Sequence, residues 1–368
     1  MAKFNNSYEY IFHLVSSVLK GTQPEELPEE YSFEEIFKIG VKHRIHNIMF
    51  YAIEKLKTQP NPELRQDLSN LRDREIVREF NQIFAFEQLT EKLTAEKIRF
   101  LPLKGIYLKD LYPQRDMRTM SDIDMVVDAE NMQRVHDILV ADGYDARVEE
   151  DEDHDAFRKD KILFEVHHSL FSHGGEDFHA LFSDPFEHTY EEKPYMYNFD
   201  KNWFFIYLFA HLAKHYTSGG TGIRSIIDIW VYINKYNDEL DFDYIFKQLK
   251  KANADELCKD IIALSKVWFD GEEMTEKFAG MTDFIIDSGV YGNSLTRAYN
   301  NVNKMGKAKF FFYRVTPPYK VMKHEYPVLQ KVPVLLPFCW IYRGIGVLIF
   351  KRKNIKKELD YIKQDKKE

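Results

Sequence analysis

The sequence predicts an α+β fold in which a small mixed β-sheet lies between an N-terminal and a C-terminal helical region. Apolar residues have helical spacing up to residue 98, helix-like and strand-like segments alternate from 90 to 170, and helical spacing returns after about 199. We therefore expect four regions: helices at 1–94, the sheet core at 95–198, helices at 199–300, and an aromatic, proline-rich segment with a basic tail at 301–368.

The N-terminal helices are predicted from the spacing of apolar residues. Residues 43–56 repeat apolar side chains at intervals near 3.6, and residues 63–96 form a long amphipathic pattern without proline or glycine. Residues 98–103, IRFLPL, are mostly apolar and follow directly, which predicts the first strand of the core.

The core continues with a second strand at Asp124–Val127. Residues 129–141 are predicted to form a helix that ends at Asp142-Gly143, a typical C-cap pair. A further pair of strands is expected at 144–148 and 162–169. The acidic run at 149–155 lacks the glycine and terminal glutamate of an EF-hand loop, so we expect a solvated hairpin tip there.

The C-terminal helical region is predicted to contain helices at 203–216, 223–236, 242–251 and 254–269, with a glycine-rich turn at 219–222. Residues 332–350 form an apolar segment of nearly membrane-spanning length, but Pro337 and Arg343 interrupt it. Two interpretations stay open for this segment. It is either a pair of core-packing helices broken near Pro337 or a weak peripheral membrane contact, which its aromatic residues and the basic tail would favour.

Composition limits the class of partner and the compartment. The net charge is −8, which gives no overall attraction to nucleic acid and makes a long polynucleotide an unlikely substrate. The chain has two cysteines, Cys258 and Cys339, which fits a reducing compartment. The N-terminal residues lack an uninterrupted apolar run typical of a signal peptide. We therefore expect a cytoplasmic protein.

Three acidic residues are the candidate catalytic and metal-binding groups. Asp122 and Asp124 are two residues apart and therefore point to the same face of a strand, where their charges repel unless a cation lies between them. Alternation places Glu165 and His167 on one face of the next strong strand. If the two strands are neighbours, three carboxylates converge, which suits Mg²⁺- or Mn²⁺-dependent phosphoryl or nucleotidyl transfer. The alternative is a half-buried strand whose acids face solvent.

Residues before the aspartate pair are candidates for binding phosphate. Lys104-Gly105 lies where a strand passes into a helix, and glycine at such a turn allows close approach of an anion. Arg118 could bind phosphate through two hydrogen bonds, and Ser121 adjoins the acids. A plain strand-to-helix turn and a solvated arginine are the alternatives.

These residues together resemble the uncharacterised nucleotidyltransferase family of the DNA polymerase β-type superfamily. The resemblance rests on Leu103-Lys104-Gly105, on Arg118 before Asp122-Ile123-Asp124, and on Glu165-Val166-His167. It implies a nucleotidyltransferase core at 95–198 with a metal role for Asp122, Asp124 and Glu165. Glu165 would help to deprotonate the acceptor. Lys104-Gly105 stands where the superfamily usually has Gly-Ser, and His168 stands where the family has tryptophan.

The segment His211–His215 with Arg224 and Asp228 also resembles the family. His211 and His215 lie on one helical face, but Leu212 occupies the glutamate position of a zinc-protease motif. A substrate cleft is predicted to be lined by two pairs of residues, His211 with His215 and Arg224 with Asp228, and by His167. The alternative is a polar seam between helices.

The resulting expectation is an enzyme that transfers a nucleoside monophosphate from an NTP to a hydroxyl or phosphate of a small molecule or protein, with Mg²⁺ or Mn²⁺ as cofactor. Two other functions stay open. One is a non-catalytic nucleotide-binding or interaction module on the same fold. The other is a membrane-associated biosynthetic transferase that uses residues 332–350.

Overall fold

The computed structural model describes residues 6–147, 154–171, 176–290, 292, 300, 302 and 305–350. Contacts group the chain into two units, one made of Met1–Lys214 and Gly222–Ile286, the other of His215–Thr221 and Asp287–Glu368. The N-terminal helices and the sheet therefore belong to one unit. The four-region division stays a prediction.

The N-terminal region contains four helices: α1 (Ser7–Leu19), α2 (Phe33–Lys42), α3 (His46–Ile53) and α4 (Pro62–Ala95). Polar side chains cap three of them, since Asn6, Ser32 and Asn61 each accept a hydrogen bond from a backbone N–H three residues later. The helical pattern at 43–56 becomes a helix only from His46, because Arg44 has a left-handed backbone (φ 55°) that separates α2 from α3.

The first unit contains a seven-stranded mixed sheet in the order β3-β4-β5-β2-β1-β7-β6. Its elements are β1 (Phe100–Pro102), α5 (Gly105–Leu108), β2 (Ile123–Val127), α6 (Met132–Ala141), β3 (Asp145–Arg147), β4 (His154–Lys159), β5 (Ile162–His167), α7 (Glu176–His179), β6 (Thr189–Lys193) and β7 (Met196–Phe199). Strand β2 is antiparallel to β1 and parallel to β5. The mixed sheet and the helices on either side of it in the chain confirm the predicted fold class.

One face of the sheet carries the hydrophobic core. Ile123, Met125 and Val127 of β2 and Phe164 and Val166 of β5 are buried in one cluster with apolar residues of α4 and α6. Burial of each large apolar side chain stabilises the fold by about 1.5–3 kcal/mol. Because side chains alternate along a strand, this core places Asp124, Glu165 and His167 on the opposite face, which we call the acidic face.

Helices α8 (Lys201–Ser218), α9 (Ile223–Tyr236), α10 (Phe242–Leu249), α11 (Asp255–Asp270) and α12 (Glu276–Ser288) follow the sheet. The first four match the predicted helices to within a few residues. Four further helices lie within residues 307–350: α13 (Lys307–Val315), α14 (Tyr319–Glu325), α15 (Val328–Lys331) and α16 (Leu336–Phe350).

In the second unit, the apolar segment 332–350 is largely one helix, α16. Pro337 lies in its first turn, where a proline removes no helical hydrogen bond, so the helix is not broken there. Cys339 packs with Met322 and Leu329 in a small core. Within the described ranges, no helix is both long and apolar enough to cross a membrane. The basic tail from 351 and most of the acidic run, 149–153, lie outside the described residues.

Candidate active site

The register of β2 and β5 brings the predicted acids together. Asp124 pairs with Glu165 in the parallel ladder, so both carboxylates project from the acidic face on adjacent strands. Asp122 immediately precedes β2, the charge of Asp124 raises the pKa of Asp122, and the charges of both aspartates raise the pKa of Glu165. The three carboxylates therefore lie close together, although they come from two separate stretches of sequence.

A lysine lies among these acids. The Lys104 Nζ is 3.0 Å from Asp124 Oδ2 and 2.9 Å from His211 Nε2 of α8. An ammonium can only donate hydrogen bonds, so the His211 Nε2 must accept, and its ring proton lies on Nδ1. The β1–α5 turn and α8 thus hold the half-buried ammonium of Lys104 against Asp124.

The electrostatics of the three acids differ. Burial by itself raises the pKa of Asp124, but Lys104 and His167 outweigh it and hold that pKa well below its usual range. Burial and the Asp124 carboxylate raise the pKa of Asp122. Burial raises the pKa of Glu165 to about 8, and Asp124 and Asp122 contribute to the rise. The strong interaction between the acids means that the acidic face favours an added positive charge.

Two histidines extend the acidic face. His167 Nε2 lies 3.4 Å from Asp124 Oδ1 and 4.0 Å from Glu165 Oε2. His154, which pairs with His167 across β4 and β5, lies with its Nε2 3.9 Å from the same Glu165 oxygen. Imidazole groups therefore approach Glu165 from two strands.

The loop that leads into Asp122 is tied to helix α9 by a buried ion pair. Arg118 donates two hydrogen bonds to Asp228, Nε to Oδ1 at 3.1 Å and Nη2 to Oδ2 at 2.9 Å, and both side chains are about 5% exposed. Tyr112 donates to Asp228 Oδ1 at 2.7 Å, and Arg224 donates to the Thr119 carbonyl at 2.9 Å. These contacts give the loop a defined position relative to α9.

The same loop is fixed from the side of the N-terminal helices. Asn47 of α3 donates to both the carbonyl and the carboxylate of Asp116, and Tyr51 donates to that carboxylate at 3.0 Å. Gln82 of α4 donates to the Met120 carbonyl at 3.1 Å. The loop before the acids is thus held by α3, α4 and α9 together.

Gly105 packs tightly below the turn at Lys104. A Cβ at this position would lie 2.4 Å from Met120 Sδ and 3.5 Å from Arg118 Nη1, so only glycine fits without displacing Met120. Ser121, the other small residue predicted to bind nucleotide, is half-buried directly before Asp122.

A family model described as uncharacterised nucleotidyltransferase matches residues 29–270, which is well over half of the chain and includes every residue of the acidic face. This chain belongs to the uncharacterised nucleotidyltransferase family. The family is one of nucleotidyltransferases, the class of enzymes that transfer a nucleoside monophosphate group.

No curated protein matches this nucleotidyltransferase. Among solved structures, the Megavirus polyadenylate synthase is similar at 12% sequence identity, with a TM-score of 0.29 over 58% of this chain and 39% of that chain. The nucleotidyltransferase thus spans well under half of the viral protein's length.

The structure of the nucleotidyltransferase gathers six of the predicted site residues on the acidic face, and Gly105 and Ser121 adjoin two of them in the chain. Those gathered around the acidic face are Lys104, Asp122, Asp124, Glu165, His167 and His211. Arg118, Arg224 and Asp228 join the loop to α9, and their role in binding substrate stays a prediction. His215 is exposed one turn beyond His211, within the segment His215–Thr221 that groups with the second unit.

Sequence reasoning missed His154. The sequence predicts a solvated acidic tip through residue 155, whereas β4 begins at His154. The signal that could have found it is the two-residue turn Asp160-Lys161, at which Asp160 has a left-handed backbone (φ 52°). Counting back from this turn pairs Lys159 with Ile162 and therefore His154 with His167.

Proposed function

We propose that the enzyme is metal-dependent and transfers a nucleoside monophosphate from an NTP to a hydroxyl or phosphate of a small molecule or protein. The pairing of Asp124 with Glu165, with Asp122 beside them, is the observation that supports it most. When a cation binds and all three carboxylates are ionised, they and the Lys104 ammonium have a net charge of −2, which matches one divalent cation. Asp122, Asp124 and Glu165 would hold Mg²⁺ or Mn²⁺, which supplies charge neutralisation for the triphosphate and activates the attacking oxygen.

The side chains around the acids have distinct proposed roles. Lys104 would exchange part of its contact with Asp124 for a phosphate oxygen when NTP binds, because its ammonium has three donors and two are used by Asp124 and His211. A carboxylate oxygen of Glu165 would accept the proton of the acceptor hydroxyl, which its partial exposure permits.

Residues of the preceding loop would complete phosphate binding. The backbone N–H of Gly105 would donate to phosphate beside Lys104, and Ser121 would add a hydroxyl donor. Arg118 uses two of its five donors on Asp228 and would offer another to phosphate. His167, His211, His215, Arg224 and Asp228 are proposed for the acceptor side.

Labelling with each radioactive NTP in a cell extract, with Mn²⁺ or Mg²⁺, tests the proposal and reveals the acceptor. Asp122→Asn and Asp124→Asn should each abolish labelling without loss of the fold, since each removes one carboxylate ligand. Asp243→Asn, which changes an exposed aspartate of α10, is the matched control and should label as wild type. Wild-type labelling by both site variants would contradict the proposal.

A non-catalytic module would give a different result. It would bind NTP, and Mn²⁺ would increase its protection by NTP against heat, but no acceptor would become labelled. Thermal unfolding with and without NTP, measured on the same samples as labelling, separates the two functions.

Membrane association is a second candidate, supported by one observation in the second unit. Val334, Phe338, Ile341 and Tyr342 are large apolar residues that are 62–76% exposed around α16. Residues 351–353, Lys-Arg-Lys, follow in the sequence and would favour anionic lipid. Sedimentation with anionic vesicles should carry down the wild type and not Phe338→Ser/Ile341→Ser. Cytoplasmic location and exclusion of polynucleotide acceptors stay predictions.

A further inference from the structure

Three potential metal ligands from two adjacent strands meet at the edge of the acidic face. One ligand atom each of His154, Glu165 and His167 lies within 4.8 Å of the other two. The side chains are 24%, 25% and 17% exposed, so an ion can reach them from solvent. The backbone fixes this arrangement, because His154 and His167 are direct cross-strand partners and Glu165 is two residues before His167 on the same face.

The chemistry of this ligand set differs from that of the three acids. Mg²⁺ prefers oxygen ligands and retains water, whereas Zn²⁺ and other divalent transition-metal ions bind imidazole well. Two imidazoles with one carboxylate are a frequent ligand set for such ions. The second histidine, His154, lies outside the Asp122–Asp124–Glu165 set.

Small side-chain movements bring the ligand atoms to coordination distance. Two ligands at about 2.1 Å from a tetrahedral ion are about 3.4 Å apart. The Glu165 oxygen is now 3.9 Å from His154 Nε2 and 4.0 Å from His167 Nε2, so each pair must close by about half an ångström. The ion would replace the proton of His167 Nε2 and compete with its 3.4 Å contact to Asp124.

We propose that His154, Glu165 and His167 form a site for a divalent transition-metal ion, Zn²⁺ or Mn²⁺ rather than Mg²⁺, next to the position of Asp122 and Asp124. Because Glu165 belongs to both ligand sets, this site deepens the proposed function. Any role of the bound ion in catalysis rests on that proposed function. Metal binding itself requires neither nucleotide nor turnover.

Titration of the metal-free protein with Co²⁺ tests the site directly. Co²⁺ bound by imidazole in a low-coordinate site absorbs visible light, and calorimetry gives its stoichiometry and affinity. We expect one such Co²⁺ per chain, displaced by equimolar Zn²⁺ and retained in excess Mg²⁺. His154→Gln and His167→Gln should each weaken Co²⁺ binding by about tenfold or more.

His168→Gln is the matched control, because His168 is the exposed next residue along the chain and is absent from the three-ligand cluster. It should bind Co²⁺ as wild type does. Circular dichroism checks that each variant is folded, and either histidine variant that folds decides the question. Unchanged Co²⁺ binding in that variant, or displacement of Co²⁺ by Mg²⁺ as readily as by Zn²⁺, overturns the inference.

Asp122→Asn separates this inference from the proposed function. That variant keeps all three ligands and should keep the Co²⁺ site while it loses nucleotidyl transfer. Transfer at the wild-type rate by this variant contradicts the proposed function alone, whereas a histidine variant with unchanged Co²⁺ affinity contradicts the site alone.

Discussion

Replacement of Glu165 by glutamine should stabilise the metal-free fold at alkaline pH. Burial, Asp124 and Asp122 raise the pKa of Glu165 to about 8, although Lys104 acts in the opposite direction. Between its ordinary pKa near 4.5 and about 8, the folded chain keeps a proton that the unfolded chain has released. The free energy of unfolding of the wild type therefore falls as pH rises through this window. Glutamine has no proton to lose, so the variant lacks this fall.

The pKa gives the size of the effect. A rise from 4.5 to about 8 corresponds to about 3.5 pKa units, or roughly 5 kcal/mol at about 1.4 kcal/mol per unit. One quarter of the Glu165 side chain is exposed, and water there relieves part of the repulsion and of the desolvation. We therefore expect Glu165→Gln to be more stable than wild type by about 2–4 kcal/mol at the alkaline end, and about equally stable at the acidic end.

Urea unfolding in the presence of a chelator, at about pH 4.5 and about pH 8.5, measures this difference. His154 and His167 are present in both proteins and titrate in both, so the difference between the two curves reports mainly on Glu165. Glu130→Gln, at an exposed position, is the control and should behave as wild type. Added Mn²⁺ should stabilise wild type more than Glu165→Gln, because the variant lacks a carboxylate ligand. Equal pH dependence in wild type and Glu165→Gln would refute the reasoning.

Two further predictions concern ion pairs that contain buried charges. Lys104→Met should destabilise the metal-free fold by about 3–5 kcal/mol, because Asp124 stays buried without its ammonium. Added Mn²⁺ should restore part of this loss, and a variant as stable as wild type in chelator would contradict the role given to Lys104. Asp228→Asn should cost about 3 kcal/mol in urea unfolding, because it leaves Arg118 buried without a counter-charge. The exposed Asp243→Asn should change stability by less than about 0.5 kcal/mol, and equal stability of the two variants would show that the ion pair does not hold the loop.

The acidic face could be predicted because its information is local. Alternation within residues 162–167 places Glu165 and His167 on one side of a strand, and Asp124 follows the same rule in β2. The remaining step, that β2 and β5 are neighbours, was an assumption from sequence and a finding in the structure.

Strands β4, β6 and β7 could not be predicted by the same means. In β4 only Phe157 is buried, and β6 at the edge of the sheet is almost entirely exposed, so neither shows apolar alternation. In β7 only Met196 and Phe199 are buried, and their three-residue spacing does not match a period of two. Strands of this kind are specified by their partners in the sheet rather than by their own pattern.

Arg118 shows a second limit of sequence reasoning. Its chemistry fits a phosphate and a carboxylate equally well, since both accept two parallel hydrogen bonds. Asp228, its partner in the structure, is 110 residues away on α9. No local pattern distinguishes these partners, because the choice depends on how α9 packs against the loop.

The charges of the acidic face connect the stability of the fold with its chemistry. A protein selected only for stability would gain from an apolar residue in place of the half-buried Glu165, whose ionisation its own neighbours oppose. Lys104 neutralises one of the three acids, and His211 fixes that lysine by accepting its hydrogen bond. The two remaining carboxylates resist ionisation in the metal-free fold, as the raised pKa of Glu165 shows. A divalent cation would displace the Glu165 proton and stabilise both charges, so binding of the ion removes the repulsion that opposes their ionisation.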